Sequence, residues 1–173
     1  PDSPKMTMAE VIHNLSEYTE GKSLVVTDVG QHQMMASRYY KFDQHKSHIT
    51  SGGLGTMGFC LPAAIGAKIG APDREVIGII GDGGFQMTLQ ELGLIMQYKV
   101  DVKSLILNNE FLGMVRQWQQ LFFDRRYSFT EMDNPDFIKL AESYRIPAQR
   151  IEDRNKLESA FDQWLNTDGP SLL

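Results

Sequence analysis

The feature that most constrains the fold is a regular alternation of short apolar segments with segments of helical pattern. The apolar segments, which are short enough for buried strands, read SLVVTDVG, EVIGII, VKSLILNN and PSLL. Strands that alternate with helices form a parallel sheet covered by helices on both faces. We therefore predict an α/β fold of three layers, with a single domain over residues 1–173. In such sheets, ligands bind beyond the carboxyl ends of the strands.

The segments between the strands predict the helices. Thr7 and Glu10 form a capping box before VIHNLSEY, and Thr88 and Glu91 form a second one before LGLIMQY. The segment NPDFIKLAESY is predicted to be capped by Asn134, with a proline at the first helical position. The other helices are predicted at QHQMMASRYYKF, FCLPAAIGAKIGA, LGMVRQWQQLFF and NKLESAFDQWL, and a glycine-broken loop at DQHKSHITSGGLGTMG.

Composition and charge restrict the function classes. The chain has 173 residues, of which 42% are hydrophobic and 23% charged, and its formal net charge is −5. These values are ordinary for a globular domain with a full-sized core, and the charge favours neither nucleic acid nor an anionic membrane as a partner. No apolar run approaches the roughly 20 residues of a bilayer span, and no signal peptide opens the chain. We therefore expect a cytosolic protein.

The single cysteine and the two ends of the chain add further expectations. Cys60 excludes an internal disulfide, and its small apolar neighbours predict a buried, unreactive thiol. The chain enters abruptly with PDSPK and stops at DGPSLL, where an apolar strand begins. We expect it to be one domain of a longer multidomain protein.

Three candidate positions follow directly after predicted strands: Gly30, Asp82 and Asn109. One strand–helix–strand crossover joins Asp82 to Asn109, which predicts neighbouring strands about 5 Å apart. A carboxylate and a neutral amide oxygen are hard ligands of the kind that Mg²⁺ or Ca²⁺ prefers. Mg²⁺ normally completes its coordination with phosphate, water and backbone oxygens.

Glycines around Asp82 provide room for such a phosphate. Gly81, Gly83 and Gly84 are expected to allow positive φ and to let backbone N–H groups approach an anion, at the positive end of the next helix. The residues thus predict a diphosphate that a metal ion bridges to the protein.

Simpler and rival interpretations remain open on the residues alone. Gly-Asp-Gly after a strand is often only a turn, and LILNN also suits a strand that ends in a polar cap. A non-catalytic phosphate-binding module is a second function class. A phosphatase with Asp82 as nucleophile is a third, which Gly84 disfavours because it occupies the position of the second acid.

The motif GDGGF followed by LILNN resembles the thiamine diphosphate signature, in which paired asparagines follow Gly-Asp-Gly. Longer segments resemble the catalytic subunit of the acetohydroxyacid synthase (acetolactate synthase) family: TDVGQHQMMASRYY, SGGLGTMGFCLPAAIGAKIG, FQMTLQEL and NNEFLGMVRQWQQLFFDRRYS. The resemblance runs from about Val25 to Arg150 and covers the C-terminal, diphosphate-binding third of that enzyme. Two positions depart from it. The family more often has serine or alanine at the position of Gly84, and glycine at the position of Cys60.

The resemblance implies a role for each candidate residue. The implied Mg²⁺ ligands are the side chains of Asp82 and Asn109 and the backbone carbonyl of Phe111. The implied contacts to the diphosphate are Gln31, His32, Gly81, Gly83 and Gly84, the last two through their amides.

The organic part of the cofactor is assigned in the same way. Met57 would wedge the cofactor into a bent shape, and Gly55 would leave space for its pyrimidine. Gly113 and Met114 would lie over the thiazolium, and Trp118 would shape the pocket for a second 2-ketoacid.

Several of these residues also have purely structural interpretations. Met57 could be ordinary core, and His32 could be a capping or surface histidine. One helical face carries Met114, Trp118, Leu121 and Phe122, and packing against the sheet would explain that face equally well. The remaining histidines, His13, His45 and His48, are expected to be solvated.

The implied activity is decarboxylation of pyruvate and condensation with pyruvate or 2-ketobutyrate, in the biosynthesis of valine, leucine and isoleucine. The family further implies FAD in the full-length enzyme, a homodimer or tetramer, a small regulatory subunit and a bacterial cytosolic location. A glutamate from the N-terminal, pyrimidine-binding domain of a neighbouring subunit is also required, so the isolated domain is expected to be inactive. The alternative is the equivalent domain of another thiamine diphosphate enzyme, such as pyruvate oxidase, glyoxylate carboligase or catabolic acetolactate synthase; Trp118 favours the biosynthetic enzyme.

Overall fold

In the part of the chain that the structure describes, five parallel strands form one sheet in the order β2-β1-β3-β4-β5. The structure is a computed structural model and describes residues 5–173, so the first four residues of the predicted 1–173 domain lie outside it. The strands are β1 Leu24–Thr27, β2 His48–Thr50, β3 Val76–Gly81, β4 Lys103–Leu107 and β5 Ser171–Leu172. Every pairing is parallel, and β3 lies between β1 and β4. The predicted parallel α/β fold is confirmed.

Helices cover both faces of the sheet. They are α1 Met8–Tyr18, α2 Gln31–Tyr39, α3 Cys60–Gly70, α4 Asp82–Thr88, α5 Leu92–Tyr98, α6 Gly113–Phe122, α7 Phe137–Ser143 and α8 Leu157–Leu165. Short 3₁₀ turns occupy Leu89–Glu91 and Arg154–Lys156. Among the residues described, no helix is long and apolar enough to cross a membrane.

Two hydrophobic clusters fill the space between the sheet and its helices. One packs Val76 and Ile80 of β3 with residues of α3, α5 and α7. The other packs Ile77 and Ile79 of the same strand with residues of α1, α2 and α8. Successive side chains of a strand point to opposite faces, and all six residues of β3 are buried. The central strand is therefore apolar along its whole length, as the sequence predicts.

Three local predictions are wrong. The predicted loop DQHKSHITSGGLGTMG contains β2, which pairs with β1. The Thr88–Glu91 capping box does not form, because α4 already begins at Asp82 and the Thr88 hydroxyl donates to the carbonyl of Gly58 at 3.0 Å. The cap of α7 is Asp136, whose carboxylate accepts from two backbone amides, rather than Asn134. The Thr7–Glu10 box, by contrast, is present.

Cys60 has the environment that the sequence predicts. Its side chain is fully buried, and the thiol donates to the carbonyl of Val26 at 3.0 Å. Burial raises the pKa of the Cys60 thiol, which disfavours the reactive thiolate. The prediction of an inert thiol is confirmed.

Candidate functional site

A cavity of about 220 Å³ opens at the carboxyl edge of the sheet. It brings together every residue that the sequence assigns to cofactor, metal or catalysis: Gln31, His32, Gly55, Met57, Gly81, Asp82, Gly83, Gly84, Asn109, Phe111, Gly113, Met114 and Trp118. These residues come from the end of β3 and from the segments that follow β1, β2, β3 and β4. Their shared location agrees with the general position of ligands in open parallel sheets.

Asp82 and Asn109 follow neighbouring strands. Gly81, the last residue of β3, pairs with Leu107, the last residue of β4. Asp82 is 2% exposed and is the first residue of α4. Its Oδ1 accepts from the Gly83 amide at 3.0 Å, and its Oδ2 accepts from the Glu110 amide at 2.7 Å. The predicted adjacency of the two strands is confirmed.

The segment between Asn109 and α6 is fixed by backbone and side-chain hydrogen bonds. Asn109 Oδ1 accepts from the Phe111 amide at 3.2 Å. Glu110 adopts a left-handed conformation with φ of 62°, which is unfavourable for a residue with a side chain. Its amide nevertheless reaches Asp82. This strained turn holds the end of β4 against the end of β3.

The prediction of positive φ for the glycines of the GDGG motif is wrong. None of Gly81, Gly83 and Gly84 has positive φ; Gly81 is extended, and the other two belong to α4. A Cβ atom on Gly83 would lie 2.8 Å from the Leu112 side chain, and one on Gly84 would lie 2.5 Å from Asp28 Oδ1. Close packing, rather than left-handed backbone, requires these glycines. The Gly83 amide is also already engaged with Asp82.

His32 is a buried side chain of the cavity wall rather than a surface or capping residue. It is 5% exposed, and burial lowers its pKa to about 4, although Asp28 and Asp82 act in the opposite direction. Its Nε2 is buried and has no hydrogen-bond partner among the residues the structure describes. A buried polar atom without a partner is costly, so this nitrogen identifies a position where a polar ligand fits.

Asp28 is a functional candidate that the sequence analysis missed. It follows β1, is fully buried, and accepts three backbone amides: Val29 at 2.7 Å, Gly58 at 3.0 Å and Cys60 at 2.9 Å. Gly58 and Cys60 follow Met57 in the chain, so these two bonds fix the segment directly after it. The only signal in the sequence was an acidic residue directly after a strand, the same signal that identified Asp82.

Met57 lies in the cavity wall and belongs to neither hydrophobic cluster. It is half-buried, and its methyl group would lie 3.5 Å from a Cβ atom on Gly83. Gly58 is held on both sides, since its amide donates to Asp28 and its carbonyl accepts from Thr88. The interpretation of Met57 as ordinary core is wrong, and the loop presents it to the cavity.

Helix α6 borders the cavity and contributes nothing to the core. None of its residues is buried, and Trp118 is 51% exposed. Gln31 donates to Gln117 at 3.0 Å, which ties α2 to this helix. The Arg116 guanidinium lies 4.4 Å from the centre of the Phe111 ring. The alternative that Met114, Trp118, Leu121 and Phe122 pack against the sheet is therefore wrong.

The other histidines lie away from the cavity. His13 and His45 are exposed, as expected. His48 is half-buried, stacks on Phe42 with ring centres 5.2 Å apart, and lies 3.2 Å from the Thr27 hydroxyl. The prediction of a solvated His48 is wrong, because it belongs to β2.

The donor set of the cavity fits a metal-bridged diphosphate. Among the described residues, no group of three or more histidine, cysteine or acidic side chains could hold a metal ion alone. Asp82 and Asn109 offer two oxygens on one wall, so a cation there would need further oxygens from a ligand. His32 Nε2 provides a buried polar atom on the same cavity.

Comparison with known proteins agrees with this geometry. The profile of the family described as thiamine pyrophosphate enzyme, C-terminal TPP binding domain, matches residues 28–173. The chain belongs to this family. The match begins at Asp28 and includes the whole predicted site, and thiamine pyrophosphate is another name for thiamine diphosphate. The predicted resemblance is confirmed.

Curated members of the family provide more detail. This thiamine pyrophosphate enzyme domain is 48% identical over 164 residues to acetolactate synthase isozyme 2 large subunit of Escherichia coli K12, covering 94% of this chain and 30% of that protein. It is 47% identical over 174 residues to the acetolactate synthase large subunit of Lactococcus lactis, covering 100% and 30%. It is 46% identical over 167 residues to the mitochondrial acetolactate synthase catalytic subunit of Saccharomyces cerevisiae, covering 96% and 24%. The chain thus spans less than a third of the length of these relatives.

Proposed function

We propose that this domain holds thiamine diphosphate through Mg²⁺ in the cavity at the carboxyl edge of the sheet, as part of an acetolactate synthase. The observation that carries the proposal is the unpartnered, buried Nε2 of His32 on the same cavity as Asp82 and Asn109. The names of the relatives support the choice of enzyme. The proposed reaction decarboxylates pyruvate and condenses the product with pyruvate or 2-ketobutyrate, toward valine, leucine and isoleucine.

Different residues of the cavity bind the metal ion and the diphosphate. Asp82 and Asn109 provide side-chain oxygens for Mg²⁺, and the Phe111 carbonyl is the proposed third ligand. Gln31 and His32 contact the diphosphate. The Gly83 amide orients the Asp82 carboxylate, because it already donates to Oδ1.

The proposed wall around the organic part of the cofactor is mainly apolar. Met57 and Gly55 lie on the segment fixed by Asp28, and Gly113 and Met114 begin α6. When bound, thiamine diphosphate supplies the thiazolium ring that stores the electron pair left when the 2-ketoacid loses carbon dioxide, and the domain binds, bends and shields the cofactor. Trp118, exposed beside the cavity, is placed to contact the second 2-ketoacid.

The proposal includes partners outside these residues. The glutamate that protonates the pyrimidine would come from the N-terminal domain of a neighbouring subunit, within a homodimer or tetramer, and FAD would bind to another domain. A small regulatory subunit is a further proposed partner. The domain by itself is therefore expected to show no turnover of pyruvate.

The test measures cofactor binding to the full-length protein by calorimetry, with and without Mg²⁺. We expect binding that depends on Mg²⁺ and that is lost in Asp82→Ala. Asp73→Ala is the matched control, because Asp73 is exposed and precedes β3 at the opposite edge of the sheet. Cofactor binding that persists in Asp82→Ala and in chelator would instead indicate a metal-independent phosphate-binding module. Product analysis with mixed pyruvate and 2-ketobutyrate distinguishes acetolactate synthase from the related carboligases.

A further inference from the structure

Asn134 occupies the centre of a hydrogen-bond network that joins the two strand ends of the site. Its Nδ2 donates to Asp82 Oδ2 at 2.8 Å and to Asn108 Oδ1 at 2.9 Å. Its own Oδ1 accepts from Gln86 Nε2 at 2.9 Å. Both N–H groups and the carbonyl of this side chain are thus engaged, and each of its partners lies on β3–α4 or directly after β4.

We propose that Asn134 is a positioning residue for the metal ligands Asp82 and Asn109. The inference rests on the proposed function. Asn134 comes from the segment before α7, which no motif of the sequence connects to the cofactor. It acts on the metal through Asp82 and through the turn that carries Asn109.

The effect on Asp82 follows from an inventory of its acceptor sites. Each carboxylate oxygen has two lone pairs. Oδ2 accepts from the Glu110 amide and from Asn134, so both of its lone pairs are used. Oδ1 accepts from the Gly83 amide, which leaves one lone pair for a cation. Asn134 therefore helps to determine which oxygen of Asp82 remains available.

The second effect is on the turn after β4. Asn108 precedes Asn109, and its Oδ1 accepts both from Asn134 and from the Glu110 amide at 3.3 Å. One amide nitrogen of Asn134 thus contacts both the acidic ligand and the residue adjacent to the amide ligand. Loss of Asn134 would remove this bridge and leave the bond from the Glu110 amide to Asp82 to join the turn to α4.

Gln86 fixes the orientation of the Asn134 amide. A side-chain amide can turn by half a rotation, which would exchange its nitrogen and oxygen. Because Gln86 donates to Asn134 Oδ1, the NH₂ group of Asn134 is directed toward Asp82. Partners that orient metal ligands in this way typically contribute ten- to a hundred-fold in metal affinity.

The test measures the dissociation constant of Mn²⁺, as a paramagnetic substitute for Mg²⁺, in the full-length protein with saturating thiamine diphosphate. We expect Asn134→Ala to weaken Mn²⁺ binding at least about tenfold. Gln86→Met should weaken it less, and should add nothing in the Asn134→Ala background, because it acts through Asn134. Asn166→Ala is the matched control: this exposed asparagine donates to Asp162 at 3.0 Å on α8, away from the cavity.

Melting of the metal-free proteins distinguishes positioning from a general effect on folding. A lower melting temperature with unchanged Mn²⁺ affinity would overturn the inference and leave the proposed function intact. If wild-type protein shows no metal-dependent cofactor binding, the proposed function fails, and the inference fails with it. If Asn134→Ala does not fold, Gln86→Met, which keeps Asn134, carries the test, and an unchanged affinity in that variant overturns the inference.

Discussion

The imidazole of His32 lies against the backbone of Gly81, where a Cβ atom would come within 2.7 Å of Cε1 and 2.8 Å of Nδ1. The same ring lies equally close to Gly30, at 2.8 Å from its Cβ position. Gly30, which directly precedes α2, and Gly81, the last residue of β3, therefore make the space that a buried histidine occupies beneath the cavity.

Gly81→Ala should displace His32. The ring is buried and in contact with Gly81, so the added methyl group forces either the ring or β3 to move, at a cost of about 1–3 kcal/mol in the free energy of unfolding. Because His32 is a proposed contact of the diphosphate, cofactor affinity should fall as well. Urea unfolding and calorimetric titration with thiamine diphosphate measure the two effects.

Gly66→Ala is the control for this substitution. Gly66 lies in the middle of α3, and nothing lies within 4 Å of its Cβ position. Alanine there should be neutral or stabilise the protein by about 0.5–1 kcal/mol, as expected for a helix interior. Equal effects of the two substitutions would show that the contact between Gly81 and His32 is not responsible.

Asp28→Asn should strongly destabilise the protein. Three backbone amides converge on the two oxygens of the buried Asp28 carboxylate, whereas asparagine has only one acceptor oxygen and turns its NH₂ group toward at least one of these donors. The expected loss is about 2–4 kcal/mol of unfolding free energy, because buried donors lose their partners. The Met57 segment should also become more mobile, which limited proteolysis can detect.

Asp136→Asn provides the matched comparison. Asp136 is the exposed cap of α7, and asparagine caps a helix about as well as aspartate. Its effect should remain below about 0.5 kcal/mol. The interpretation of Asp28 is wrong if both substitutions cost the same.

The burial of His32 should make stability depend on pH. Its pKa is lowered from 6.5 to about 4 in the folded protein, so folding favours the neutral ring. This contribution is complete above pH 6.5 and is lost as the pH falls from 6.5 to 4, because the unfolded chain binds the proton first. The expected loss is up to about 3 kcal/mol, since one pKa unit corresponds to about 1.4 kcal/mol.

Urea unfolding between pH 7 and pH 4 tests this dependence. His32→Gln, which cannot take up the proton, should lose less stability than wild type over this range. His13→Gln replaces an exposed histidine of α1 and should keep the wild-type profile. Parallel profiles for wild type and His32→Gln would show that His32 is not the titrating group.

The alternation of strands and helices made the sheet predictable from the sequence. β3 is apolar at every position because both of its faces are covered, and such a segment is recognisable without any partner. β2 was missed because its three residues, His48–Thr50, are polar or half-buried, and only pairing with β1 makes them a strand. The start of α4 was misplaced for a related reason, because glycines are poor helix formers. Only close packing against neighbouring segments explains why Gly83 and Gly84 lie in the first turn of this helix.

The site was predictable where it depends on strand order and unpredictable where it depends on distant segments. Asp82 and Asn109 follow strands joined by one crossover, so topology alone brings them together. Asn134 lies 52 residues after Asp82 in the chain, and its position before a helix suggested only a cap. The burial of His32 was not predictable either, because it depends on Gly81 of β3, which is distant in the chain, as well as on Gly30.

The two tryptophans of the chain should respond in opposite ways to replacement by leucine. Trp118 is 51% exposed on α6, a helix without buried residues, so Trp118→Leu should change the unfolding free energy by less than about 0.5 kcal/mol. In the full-length enzyme it should change the ratio of products formed from mixed pyruvate and 2-ketobutyrate. Trp164 is 1% exposed and its indole N–H donates to Ser171, so Trp164→Leu should cost about 2–4 kcal/mol and leave that ratio unchanged. A product ratio that is the same in Trp118→Leu and wild type would show that Trp118 does not contact the second 2-ketoacid.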